Sequence, residues 1–276
     1  SILGHHRLAT TGARTMGDMG GALITGAARR IGRCLAETLA AAGWHVVVHY
    51  NHSESDAEET VRAITDAGGR AVALAADLSD GKACTRLVDD ARTLTGGLGC
   101  LINNASMFVE DTALDIDAEI FDRVMAVNLR APAILSRAFA TQLPEGGEGV
   151  IVNILDQKLA NPNPDFLSYT LSKHGLAALT EMTAASLGPS VRVCAVAPGL
   201  TLPSGDQPQS QFDAVHGRTP LARGSQPDDV AGAVLYLLGA RAVTGETILV
   251  DGGQHLVPSA RDVMFLDPSP TKEIGE

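Results

Sequence analysis

Tyr169 and Lys173 stand four residues apart in the run Tyr-Thr-Leu-Ser-Lys, which puts both side chains on one helix face, one turn apart. An ammonium beside a phenol favours the phenolate and draws the Tyr pKa down from about 10 toward neutrality. The pair is a candidate proton donor for a hydride-transfer reaction. Asp156 lies upstream, and a carboxyl there asks for a different substrate than a hydroxyl would. By itself the spacing is also what a buried Tyr and a surface Lys produce by chance, so the surrounding elements decide its meaning.

Those elements alternate short apolar runs with longer amphipathic stretches from Gly21 onward. Strands are expected at Ala22–Ile24, Trp44–Tyr50, Ala71–Ala75, Cys100–Ile102, Val150–Leu155, Val191–Val196 and Thr247–Val250. Helices are expected at Ile31–Ala42, Ser55–Ala67, Ser79–Thr93, Ile120–Phe139, Phe166–Leu187 and Pro227–Leu238. Continuously apolar strands separated by helices imply an α/β fold, a doubly wound parallel sheet of Rossmann type in a single domain. Leu200–Gln226, rich in Pro, Gly, Ser and Gln, reads as an irregular lid or binding loop.

The domain is expected to span residues 21–253, followed by a C-terminal tail at 254–276. Residues 1–20 lack an apolar stretch and read as a disordered leader, native or added in cloning. The 276-residue chain carries a net charge of −11, which argues against nucleic acid or an anionic membrane surface as partner. No apolar run approaches the 18 or so residues of a membrane span. Cys34, Cys84, Cys100 and Cys194 have no metal-binding spacing and read as reduced thiols of a cytoplasmic protein, with no metal site.

The first strand runs into Thr25-Gly26-Ala27-Ala28-Arg29-Arg30-Ile31-Gly32. Glycines at such a turn let backbone N–H groups approach a pyrophosphate at the helix N-terminus, although the spacing departs from G-x-G-x-x-G. The second strand ends at Tyr50-Asn51-His52-Ser53 with no acid to grip a ribose 2′-hydroxyl. A Ser hydroxyl, an imidazole, and Arg29 and Arg30 in the adjacent turn suit a 2′-phosphate instead, which favours NADP(H) over NAD(H). Cations at a helix N-terminus oppose its dipole, so a bound anion would explain them.

Thr25-Gly26 with Gly32, Asn103-Asn104-Ala105, Asn128, Tyr169 with Lys173, Pro198-Gly199 and Val250-Asp251-Gly252-Gly253 occur in the order typical of one family. Over roughly Gly21 to Gly253 the chain resembles the short-chain dehydrogenase/reductases. Within them it is most similar to the pteridine reductases, through Arg30, His49-Tyr50 with Ser53, Asn104 to Phe108, and Asn153 to Asp156.

The resemblance implies a role for each matched residue. Tyr169 would donate the proton, Lys173 would hold the nicotinamide ribose, and Asn128 would support a proton relay to Lys173. Asp77, followed by Leu78, would lie near the adenine, and Asn104 and Ala105 would line the cofactor ribose. Arg30 and Ser106 would contact cofactor phosphates and reach the substrate, where Phe108 would stack on a pterin. Pro198, Gly199 and Leu200 would bound the nicotinamide pocket. The family's usual Gly at position 30 is Arg here, a departure that pteridine reductases share. The resemblance also implies a homotetramer that pairs the helices at Ile120–Phe139 and Phe166–Leu187.

Asp156 occupies the place where most of the family carries a Ser for a substrate carbonyl. A carboxylate would repel a developing alkoxide but can accept N–H and amino donors of a pterin, and a raised pKa would let it relay a proton. The expected function is therefore NADPH-dependent reduction of a pterin or dihydrofolate-like C=N bond in a small-molecule substrate. Reduction of a β-ketoacyl thioester, sugar or steroid carbonyl is the alternative, and a non-catalytic dinucleotide sensor a third reading. The bland reading of Asp156 is a loop cap or a partner of Lys158. The tail is expected to pack on a neighbouring subunit or on the substrate loop.

Overall fold

Seven strands, all parallel, form one sheet in the order β3-β2-β1-β4-β5-β6-β7. The computed structural model describes residues 20–203 and 208–265, so the leader, apart from Gly20, and the end of the tail lie outside it. The strands are β1 (Gly21–Ile24), β2 (His45–Tyr50), β3 (Arg70–Ala75), β4 (Leu98–Asn103), β5 (Gly149–Ile154), β6 (Val191–Pro198) and β7 (Thr247–Val250). Between them run α1 (Arg30–Ala41), α2 (Glu54–Asp66), α3 (Gly81–Thr95), α4 (Ala118–Met125), α5 (Ala131–Thr141), α6 (Leu167–Leu187), α7 (Gln209–His216) and α8 (Pro227–Gly239).

Successive strand side chains point to opposite faces, which is why the strands are apolar throughout. Ala22, Val46, Val48, Cys100 and Ile102 enter one core with Leu35 and Leu39 of α1 and Val234 of α8. Leu23, Val47, Leu101, Ile151 and Val193 enter the other with Val88 of α3 and Leu135 and Phe139 of α5. The order reverses between β1 and β4, and a crevice opens beyond the C-terminal ends of the strands at this switch point.

Two elements differ from the sequence expectation. The long helix expected over Ile120–Phe139 is interrupted by a π-helical turn, Ala126–Arg130, with Asn128 at its centre. Insertions of this type cluster where a helix must re-aim a side chain. The stretch Leu200–Gln226 is not wholly irregular, because α7 forms within it. Its few apolar residues explain the discrepancy: among the described side chains of α7 only Phe212 and Val215 are buried, and Phe212 stacks on His216 at 4.9 Å.

The turn between β1 and α1 is fixed from three sides. Thr25 Oγ1 accepts the backbone N–H groups of Asn104 and Ala105, both at 3.0 Å. The Asn104 side chain donates back to the Thr25 and Gly26 carbonyls at 2.9 and 3.0 Å. His49, fully enclosed, accepts the Gly26 N–H through Nδ1 at 3.0 Å, and Nε2 lies 3.0 Å from the Ala76 carbonyl. These partners require the neutral ring with its proton on Nε2.

Burial pushes the His49 pKa down to about 4. An unfolded chain binds a proton at this ring below about pH 6.5, whereas the folded one does so only near pH 4, so stability is full above 6.5 and falls as pH drops through that window. Urea unfolding at pH 7 and pH 5 should show the wild type losing about 2 kcal/mol more than His49→Gln between the two conditions. Equal losses in the two proteins would remove His49 as the acid-sensitive pin.

Candidate active site

The crevice at the switch point is a cleft of about 780 Å³. One end is built by the β1–α1 turn and the end of β2. Gly26, Arg29, Arg30, Ile31 and Gly32 line it, as do Tyr50, Asn51, His52, Ser53, Asp77 and Leu78. Gly26 has φ +62, and a Cβ there would stand 2.9 Å from Ala105 Cα. A Cβ on Gly32 would fall 2.1 Å from the Gly26 carbonyl oxygen, so both glycines are sterically required. No side chain caps α1 and no acid stands in its first turn, which leaves its N-terminal dipole facing the cleft.

Arg30 has φ +57, the left-handed region that a glycine occupies at lower cost. That explains why the family's usual residue here is Gly. Its side chain lines the cleft and donates to the Pro203 carbonyl at 2.8 Å. Arg29 pairs at 3.6 Å with Asp56 on the solvent side, and Asp77 turns one oxygen to the Ser79 N–H at 2.9 Å. Ser53 precedes α2 without capping it.

The other end of the cleft is lined by Asn104, Ala105, Ser106, Phe108, Asp156, Tyr169, Lys173, Pro198, Gly199 and Leu200. Every residue singled out from the sequence for the site therefore faces this one space, except Asn128. Asn128 sits behind the wall: its Oδ1 accepts the Met107 N–H at 2.7 Å, and its Nδ2 donates to the Met107 carbonyl and Ser172 Oγ. It clips the Ser106–Phe108 strip to α6.

Asp156 and Tyr169 meet directly. The phenol donates to Asp156 Oδ2 at 2.7 Å, while Oδ1 accepts the Lys158 backbone N–H at 2.8 Å. Asp156 is thus a loop cap and a partner of the phenol at once, and the Lys158 ammonium, which the bland reading would have paired with it, pairs with Asp262 instead. Lys173 Nζ donates to the Ile154 carbonyl at 2.8 Å and lies 5.5 Å from the Tyr169 ring centre.

This geometry corrects the expectation that Lys173 lowers the Tyr169 pKa. Burial and the adjacent Asp156 carboxylate raise it well above the ordinary phenol value. The carboxylate touches the hydroxyl, whereas the Lys173 ammonium makes no hydrogen bond to it, and Coulombic effects fall with distance. Burial also raises the Asp156 pKa, and it lowers that of Lys173 to about 8 against the pull of Asp156. The three groups titrate as a coupled set.

Sequence reasoning missed the far wall. Lys158, buried, makes a 2.7 Å ion pair with Asp262 and a 2.9 Å bond to Asn163. Asp165 accepts from Arg261 Nε at 2.8 Å and from the Asp262 N–H at 2.7 Å. Phe166, at φ +57, starts α6 and stacks between Phe108 at 4.1 Å and Phe265 at 5.8 Å. Phe108 meets Tyr169 edge-on at 4.7 Å. The described part of the tail thus packs on loops of its own chain, and Asp262, Val263 and Met264 line the cleft. No local motif marks this: Lys158 and Asp262 are ordinary surface residue types 104 positions apart.

A parallel switch-point sheet, a glycine turn at an uncapped helix and a buried Tyr/Lys pair define a dinucleotide-dependent oxidoreductase site. Residues 26–255 match the family model described as enoyl-(acyl carrier protein) reductase, and the chain belongs to the short-chain dehydrogenase/reductase family. A 3-oxoacyl-[acyl-carrier-protein] reductase of Synechocystis sp. is 32% identical over 84% of this chain and 95% of that relative. A 3beta-hydroxysteroid dehydrogenase of Eggerthella lenta is 35% identical over 86% of this chain and 94% of that relative. Among solved structures, FolM alternative dihydrofolate reductase 1 from Brucella canis, complexed with NADP, is 39% identical with a TM-score of 0.86. That match covers 91% of this chain and 99% of the other.

Replacing Asp156 by Asn should let Tyr169 ionise at lower pH than in the wild type. Ultraviolet titration of tyrosinate checks this among only three tyrosines, with Tyr169→Phe identifying the relevant step. A Tyr169 step at unchanged pH would show that Asp156 does not hold the phenolic proton.

Proposed function

We propose that this chain is an NADPH-dependent reductase of a pterin or dihydrofolate-like ring, acting on a C=N bond. The observation that carries the reading is the Asp156 carboxyl, held 2.7 Å from the Tyr169 hydroxyl in the cleft. A carbonyl reductase profits from a neutral donor at this place. A carboxylate disfavours a developing alkoxide and favours the N–H and amino donors of a pterin. The likeness to an alternative dihydrofolate reductase crystallised with NADP supports the same choice.

NADPH suits the other end of the cleft. Gly26, Gly32 and the uncapped start of α1 fit a pyrophosphate, and Arg29, Arg30, His52 and Ser53 fit a 2′-phosphate. Asn104 and Ala105 would lie along the ribose, Asp77 and Leu78 beside the adenine, and Pro198 and Gly199 beside the nicotinamide. A bound dihydronicotinamide supplies the hydride. Lys173, held by the Ile154 carbonyl, would hold the nicotinamide ribose. Asn128 keeps α6 in register with the Met107 strip, so that the Tyr169 hydroxyl stays on the substrate side.

The phenol keeps its proton to high pH, and burial raises the carboxyl's own proton affinity. The pair therefore holds an exchangeable proton at Tyr169 Oη or Asp156 Oδ2, within reach of a ring nitrogen. Phe108, beside Tyr169 in the cleft, would stack on the substrate ring. We also propose the family's usual homotetramer; Leu171 and Met182 of α6 are exposed apolar residues suited to such an interface.

NADPH oxidation should be observed with dihydrobiopterin, dihydromonapterin or dihydrofolate, and Asp156→Ser should impair it. Turnover of a ketone or β-ketoacyl thioester with none of any pterin would overturn the reading in favour of the carbonyl alternative. Ser53→Asp should shift kcat/KM from NADPH toward NADH by roughly ten- to a hundredfold, the scale of one charge-assisted contact. An unchanged preference would place the 2′-phosphate elsewhere.

A further inference from the structure

We propose that Asp262, Val263 and Met264 are specificity-determining residues that limit how far a substrate can extend beyond the reacting ring. The inference rests on taking the Asp156–Tyr169 end of the cleft as the substrate end. All three residues line the cleft that Asp156, Tyr169 and Phe108 also line. Two ion pairs and a ring contact hold the segment there. Asp262 and Lys158 pair at 2.7 Å with both side chains less than one-tenth exposed. Asp165 binds the preceding Arg261 and the Asp262 N–H, and Phe265 stacks on Phe166.

The anchors on the domain side all lie between Asp156 and Tyr169 in the chain. Lys158, Asp165 and Phe166 belong to the loop that carries the carboxyl at one end and the phenol at the other. The segment is thus registered against the reacting groups themselves rather than against a distant surface. Phe108, Val263 and Met264 line one cleft, so this segment bounds the space beside a ring placed next to Tyr169. A ring with a long substituent, or an acyl group on a pantetheine arm, collides with that wall. The Lys158 ammonium is already neutralised by Asp262 and so does not draw an anionic arm toward this wall.

The test compares two substrates of identical ring chemistry, 6-methyl-7,8-dihydropterin and 7,8-dihydrofolate, which differ in the length of the 6-substituent. Met264→Gly trims the wall and leaves both ion pairs in place; Asp262→Ala releases the segment, which limited proteolysis near Arg261 reports. Calorimetric NADPH binding reports that each variant is folded. In at least one variant the ratio of kcat/KM for dihydrofolate to that for the methylpterin should rise roughly tenfold or more over wild type. A ratio within about twofold of wild type in both variants overturns the proposal. If wild type reduces neither pterin, the reading of its function fails separately. The same variants are then compared on butane-2,3-dione and acetoacetyl-coenzyme A, with the same criteria.

Discussion

A half-buried carboxyl meets a buried phenol and stands near a buried ammonium at the mouth of a parallel sheet, and much of the surrounding structure answers that constraint. An ionised group withdrawn from water must find a partner or change its protonation. Asp156 is met by the Tyr169 hydroxyl and the Lys158 N–H, and Lys173 by the Ile154 carbonyl at the end of β5. No partner fully offsets the burial, so all three groups sit away from their ordinary pKa values. A site poised in this way moves protons readily.

The opposite end of the cleft is organised by backbone satisfaction instead. A sharp β1–α1 turn exposes N–H and carbonyl groups that a helix or strand would have paired. Thr25, Asn104 and His49 take up those groups on the protein side, and α1 is left uncapped on the cleft side. One end of the cleft is therefore a braced turn with an open helix start, and the other a set of titratable side chains held in contact. The two are joined through the strip Asn104–Phe108, whose start pins the turn and whose Met107 is gripped by Asn128.

Local patterns carried most of this into the sequence. Apolar strands of fixed length, the Gly-rich turn and the Tyr/Lys spacing each depend on residues within a few positions of one another, so periodicity and motif could be read directly. The Asp156 side chain was legible as unusual, but its effect on Tyr169 was not, because the spacing of Tyr169 and Lys173 says nothing about which neighbour lies closer to the hydroxyl. The Lys158–Asp262 pair was invisible for a related reason: long-range ion pairs leave no trace in composition. His49 stood in plain view on β2, yet only the β1–α1 turn folding against it turns an apolar-strand histidine into a neutral pin. α7 was hidden by a Pro- and Gln-rich surrounding in which just two residues supply its buried face.

The π-helical turn at Ala126–Arg130 has a consequence for how the chain tolerates change in length. Such a turn is what remains when one residue is inserted into a continuous α-helix. Removing a residue from this turn would restore ordinary winding and leave α4 and α5 close to their present phase, because the wide turn is what absorbs the extra residue, but it would change where the residues of the turn itself point. Asn128 would then leave Met107 and Ser172 together. The surplus residue thus aims Asn128, and a chain that lost it would keep a helix here while losing the clip between the Met107 strip and α6.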